Sequence, residues 1–142
     1  MKREKSCGAV LYRQGDGGRV YLILHSTLGH YTLCKGHVEG DETERNTARR
    51  EILEETGLTA RFLDGFRTVI NYSPRPGVSK DVVFFLGELD EGTPVPQPSE
   101  VEEIFFLPYE KAMARLTHDS DRETLTKAEN FLNALESGEK PL

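Results

Sequence analysis

No apolar run in this chain approaches the roughly 18 residues of a membrane-spanning helix, so a membrane partner is not expected. The start, Met1-Lys2-Arg3-Glu4-Lys5, lacks the apolar stretch of a secretion signal, which points to a cytoplasmic protein. Cysteine is scarce. Cys7 and Cys34 sit in apolar strand-like segments and read as free, buried, structural thiols of a reducing compartment rather than as a disulfide. No CxxC pair accompanies them; His30, Cys34 and His37 can be joined into a zinc site by spacing alone, but a fourth ligand at a motif distance is missing. A basic stripe is missing too. With 18 Lys and Arg against 24 Asp and Glu the formal charge is -6, which argues against a stable nucleic-acid partner. A polyanionic substrate would be repelled unless a cation came with it. There is no internal repeat or low-complexity tract, and 142 residues suffice for one domain, 1–142, with a real core. Nothing in the composition sets an oligomeric state.

What the chain does have is acid in a pattern. Thr43 to Thr56 holds no proline or glycine, is rich in helix formers, and meets Gly57 where a left-handed terminus is expected. Within it Glu51, Glu54 and Glu55 share a face, spanning about 100° of arc at positions i, i+3 and i+4. Like charges so close repel by a few tenths of a kcal/mol per pair, and a cation spanning them gives the cluster a physical purpose. Oxygen ligands select a hard ion, Mg²⁺ first and Mn²⁺ second. Read blandly, the same helix is a solvated face laced with i, i+4 pairs such as Arg50 to Glu54.

Around this helix, Ser6–Gln14 and Arg19–His25 are β-rich runs joined as a hairpin by Gly15-Asp16-Gly17-Gly18. Tyr31–Cys34 is a short third run. Ala60–Asn71 and Lys80–Glu88 read as strands, with Ser73-Pro74-Arg75-Pro76-Gly77 between them as a rigid loop and an expected wall of the pocket. Thr93–Pro98, with alternating prolines, is neither helix nor central strand. Ile104–Leu107 is a further strand, Pro108 suits a first helical turn, and Ser120-Asp121-Arg122-Glu123 reads as a capping box opening a last helix. Leu125, Ala128, Leu132 and Leu135 form the apolar stripe of that helix. Strands flanking one central helix, with another at the end, imply an α/β fold with a mixed sheet covered on both faces.

Gly36, Glu42, Arg50, Glu51, Ile52, Glu54, Glu55, Gly57 and Leu58 satisfy every fixed position of the signature of the Nudix hydrolases, which this stretch resembles. The resemblance implies an α/β/α sandwich around a central mixed sheet, with the signature as a loop-helix-loop metal site, and hydrolysis of a nucleoside diphosphate linked to another group. It also implies Glu51 and Glu55 as metal ligands, joined by the backbone carbonyl of Lys35. Glu54 is ligand or general base, and Arg50 acts in catalysis by orienting carboxylates. Gly36 and Gly57 are structural, and Glu42 supports the loop or an outer metal. A further carboxylate outside the signature completes such sites, and Glu100 is the choice, with Glu102 and Glu103 its competitors.

Beyond the signature, the chain is similar to the asymmetrical diadenosine tetraphosphate hydrolases. The similarity lies in Cys7-Gly8-Ala9-Val10, in His30-Tyr31-Thr32 with Lys35 through Glu39, in Asn71-Tyr72 with Lys80, and in Glu100 through Leu107 with Glu110 and Ala112. That group has tryptophan where Tyr31 stands and prolines at Leu33 and Cys34. A nucleotide polyphosphate is therefore the expected small-molecule substrate. Tyr72 is placed to stack an adenine, worth roughly 1 to 3 kcal/mol per base, and Lys35, His37 and Lys80 to meet phosphate oxygens, with His30 and Tyr31 nearby. Each has a plainer reading: Tyr72 as a cap on the sheet, Lys80 as an edge-strand charge, His37 as a loop anchor. The alternative within the family is hydrolysis of 5′-triphosphate RNA, of diphosphoinositol polyphosphates or of modified nucleoside triphosphates. A module that senses a nucleotide without cleaving it is the remaining alternative.

Overall fold

The fold is taken from a computed structural model that describes residues 1–138. Eight strands form one mixed sheet, with three helices over its two faces. The longest strands, β1 (Lys2–Gly15) and β7 (Val78–Leu89), run parallel at its centre; β5 (Ala60–Phe62) and β6 (Thr68–Tyr72) pair antiparallel with the far side of β7.

β1 and β2 (Gly18–Ser26) pair only near their turn, Tyr12–Gly15 with Gly18–Tyr21. Beyond it they part, and the gap is filled by one extended segment divided between them. β3 (Tyr31–Thr32) pairs with β2, and β4 (Cys34–His37) pairs with β1. β8 (Val101–Leu107) closes the other side of β2. This splay opens the sheet where Lys35 and Gly36 lie.

Alternation along the strands supplies both cores, as a side-chain period of 2 requires. Val10, Tyr21, Ile23, Val82, Phe84 and Leu86 face α2 (Tyr109–Arg115) and α3 (Asp119–Glu136), whose Ala112, Leu125, Ala128 and Leu132 pack on them. Cys7, Ala9, Leu11, Leu22, Leu24, Val83 and Phe85 face the opposite way, toward Ala48 and Ile52 of α1 (Glu44–Thr56). Both cysteines are free and buried there.

α1 stands apart energetically. Its buried face holds Thr47, Ala48, Glu51, Ile52, Glu55 and Thr56, so only two of six inward residues are apolar. Full burial of Ile52 is worth roughly 1.5–3 kcal/mol, whereas two carboxylates taken from water cost free energy unless something compensates them. This face is poor as packing and suited to a charge.

Three expectations change. Ala60–Asn71 is not one strand: regular pairing breaks after Phe62, Leu63 keeps one bond to the Leu86 carbonyl at 2.9 Å, and Leu63 and Phe66 pack in the α3 core around a turn at Gly65, whose φ is 88°. The last helix opens two residues earlier than a capping box at Ser120 requires. His118 precedes it without a side-chain cap, and Ser120 lies within the first turn, its carbonyl accepting from Thr124 Oγ1 at 2.9 Å. Leu135 of the expected apolar stripe is exposed, since the stripe has turned off the sheet by the helix end. Among the described residues no helix is long and apolar enough to cross a membrane.

Candidate active site

Both ends of α1 are pinned. Thr43 Oγ1 accepts the Asn46 N–H at 3.2 Å, and Gly57, at φ 72°, donates its N–H to the Leu53 carbonyl at 2.9 Å. Between these caps Glu51 and Glu55, one turn apart, point inward at 7% and 6% exposure. Glu100 reaches the same point from the turn before β8, its carbonyl accepting the Thr27 N–H at 3.0 Å. One carboxylate oxygen from each of Glu51, Glu55 and Glu100 lies within 4.8 Å of the others, and among the described residues no other such group of three forms. His30, Cys34 and His37 are not gathered. Glu102 turns to His25 at 3.5 Å and stays out of the cluster, as does Glu103.

Gly36 approaches this cluster because it has no side chain. A Cβ there would lie 2.0–2.2 Å from the Glu51 carboxylate. Gly57 serves differently, through its left-handed φ at the helix end.

Arg50 organises the carboxylates. Its Nε and one Nη donate to both oxygens of Glu42 at 2.8 and 3.0 Å, and the other Nη donates to Glu51 at 2.8 Å and Glu54 at 3.2 Å. The His37 carbonyl takes a further bond at 2.8 Å. Glu42 also accepts from the Glu39 N–H and the Thr47 hydroxyl, so the loop reading accounts for all of its contacts. The Arg50 guanidinium holds the Glu42 carboxyl down at about 2, with the Glu39 N–H adding to it. Glu54 is half exposed, and among the described residues Arg50 is its one hydrogen-bonding or ion-pair side-chain partner.

Glu55 has the opposite environment. Burial pushes its carboxyl up to about 8, the Cys34 thiol eases this, and the Glu51 charge adds to it. Burial likewise raises Glu51, against the pull of Arg50. Among the described residues, the buried Glu55 Oε1 has no hydrogen-bond partner. An orphaned carboxylate oxygen facing two further carboxylates fits a divalent cation, whose charge reverses the penalty of gathering them.

The cluster borders a cleft of about 930 Å³. Lys35, His37, Lys80, Tyr72 and His30 all line it, together with Glu54 and Arg50. The register explains the floor: Tyr72 lies opposite Lys80 and Lys80 beside Glu4, while His37 lies opposite Ser6. Burial lowers Lys80, as does its neighbour Lys35; burial and then Lys80 lower His37. Tyr72 is 41% exposed at the rim.

Tyr31 does not line the cleft. Its ring stacks on His25 at 4.4 Å and meets the Arg115 guanidinium at 5.1 Å, because its place in β3 turns it to the helical face. The loop Ser73–Gly77 is not a wall either; Ile70 and Tyr72 before it and Lys80 after it line the cleft, while Arg75 is tied back to Glu4. Sequence reasoning missed Ser6, His118 and Asp121, all cleft residues. Ser6 lies in an apolar strand, and Asp121 gave the local signal of a helix cap, which masked its burial.

The model of the NUDIX domain matches residues 2–128. The asymmetrical bis(5′-nucleosyl)-tetraphosphatase of Mus musculus is 30% identical over 140 residues, covering 90% of this chain and 95% of that protein. The crystal structure of a C. elegans Ap4A hydrolase binary complex superposes with a TM-score of 0.85 at 26% identity, over 92% of this chain and 98% of that one. A fold likeness of that extent joins a sequence match that spans the acidic helix and the strands around it, and the chain belongs to the Nudix family of phosphoanhydride hydrolases.

Proposed function

We propose that this protein hydrolyses dinucleoside tetraphosphates asymmetrically, diadenosine tetraphosphate to ATP and AMP, with Mg²⁺. The observation that carries this reading is the unpartnered, buried Glu55 Oε1 beside Glu51 and Glu100, at the edge of a cleft lined by Lys35, His37 and Lys80. Both the Mus musculus relative and the C. elegans structure named above support the substrate class.

Glu51, Glu55 and Glu100, with the Lys35 carbonyl, would hold the cation; when bound it offsets phosphate charge that repels nucleophiles and makes water a better nucleophile near neutral pH. Lys35, Lys80 and His37 bind phosphate oxygens, and Tyr72 stacks a base. Glu54, exposed to the cleft, accepts the proton of the water that attacks a terminal phosphorus. Arg50 is a positioning residue, holding Glu51 and Glu54 on one side and Glu42 on the other. The chain works as one domain, and its two buried free thiols support a cytoplasmic setting.

Product analysis from diadenosine tetraphosphate in ¹⁸O water tests the reading. ATP with ¹⁸O-labelled AMP is expected. Two ADP molecules, or no turnover, overturns it, and thermal stabilisation by the dinucleotide and Mg²⁺ without any product identifies a sensor instead.

A further inference from the structure

The end of the cleft at α3 is built from residues that the phosphoanhydride chemistry leaves unused. His118, Asp119, Ser120 and Asp121 line it, and this helix start is fastened to β3: the Tyr31 N–H donates to Thr117 Oγ1 at 2.8 Å, and the Thr117 N–H to the Tyr31 carbonyl at 3.0 Å. Asp121 is 4% exposed, yet among the described residues its carboxylate belongs to no ion pair. The adjacent Arg122 is taken by Asp119 and by the Leu116 carbonyl. Burial pushes the Asp121 carboxyl up, against the charges of Lys35 and His118 and the Leu33 N–H.

Beyond the Leu33 N–H, the two oxygens of this buried carboxylate keep acceptor capacity, and a donor arriving in the cleft offsets more of their desolvation. Phosphate cannot, because like charges repel, and Lys35, Lys80 and His37 already provide the cationic floor. The donors of a nucleotide are on its nucleoside: the amino group of the base and the ribose hydroxyls. Beside Asp121 the rings of His30 and His118, 5.1 Å apart and inclined by 26°, line the same wall and offer flat faces to a base.

We propose that Asp121 is a specificity-determining residue whose carboxylate accepts a hydrogen bond from the substrate's nucleoside, at the cleft end lined by His30 and His118. This deepens the dinucleotide reading and rests on it for the identity of the ligand.

Calorimetric titration of wild type, Asp121→Asn and Asp121→Ala with ATP, 2′-deoxy-ATP, purine riboside triphosphate and inorganic tripolyphosphate, all with Mg²⁺, tests it. Asp121→Ala is expected to weaken ATP by about tenfold or more while leaving tripolyphosphate within about twofold. Asp121→Asn, of the same shape and with an acceptor oxygen retained, recovers part of the ATP affinity. A wild-type penalty for purine riboside triphosphate that vanishes in Asp121→Ala assigns the base amino group; the same pattern with 2′-deoxy-ATP assigns the ribose. Equal weakening of ATP and tripolyphosphate makes Asp121 a group acting through Lys35 and overturns the proposal, as does unchanged ATP binding in the alanine variant or none in wild type. Wild type that binds ATP with this pattern but leaves diadenosine tetraphosphate intact removes the tetraphosphatase reading alone.

Discussion

Glu55 and Gly36 show how much of the site depends on single atoms. Glu55→Gln keeps the shape but removes the charge of the orphaned oxygen, and is expected to lower kcat by at least about 100-fold with the near-UV circular dichroism unchanged. Near-normal turnover would contradict the assignment of Glu55 to the cation. Gly36→Ala places a methyl group on the Glu51 carboxylate, backbone against side chain, so Glu51 must leave its position. A Mg²⁺ or Mn²⁺ titration of that variant should show affinity weakened by at least about tenfold. The spacing of the acidic residues made Glu51 and Glu55 legible before any coordinates, because one turn of helix fixes their relation. The reason for glycine at position 36 was not legible, since its contact is with a residue fifteen positions away.

At the scale of elements, α1 is held by its ends more than by its packing face. Gly57→Ala must adopt a φ of 72° with a Cβ, although the space beside Val95 is ordinary contact distance. Guanidinium unfolding should therefore show a loss of roughly 1–2 kcal/mol, as a lower midpoint with an unchanged slope. The boundaries of α1 were readable because Thr43 and Gly57 act locally on the backbone. Those of α3 were not: Ser120 and Glu123 have the pattern of a cap, but Thr117 is hydrogen-bonded to Tyr31 and the helix begins at Asp119. Likewise the break between β5 and β6 is imposed by Phe66 packing edge-on against Phe131, a partner no local pattern announces.

Across the whole molecule, gathered carboxylates couple stability to pH and to metal. Glu55, raised from 4.5 to about 8 by burial, binds a proton in the folded chain that the unfolded chain has released. That contribution is fully present below pH 4.5 and lost as pH rises through 8. Glu42 has the opposite sign: held at about 2 by Arg50, it stabilises above pH 4.5 and is lost as pH falls through 2. Chelator-treated protein should thus melt at progressively lower temperature from pH 5 to pH 8.5. Mg²⁺ at a hundredfold excess over Kd should stabilise by about 2.7 kcal/mol, and the melting temperature should recover most at the alkaline end. A metal effect that shrinks as pH rises would contradict the carboxylate cluster as its site. The sequence by itself determined the family, the acidic helix with its caps and the alternation that fills two cores, because these depend on spacings of a few residues along one element. The tertiary structure set Glu100, already the choice from the resemblance, apart from Glu102 and Glu103, and it alone decided that Tyr31 turns from the cleft and that a buried Asp121 lines it. Each of these depends on how the splayed β1 and β2 bring distant segments together, and chain order does not encode that distance locally.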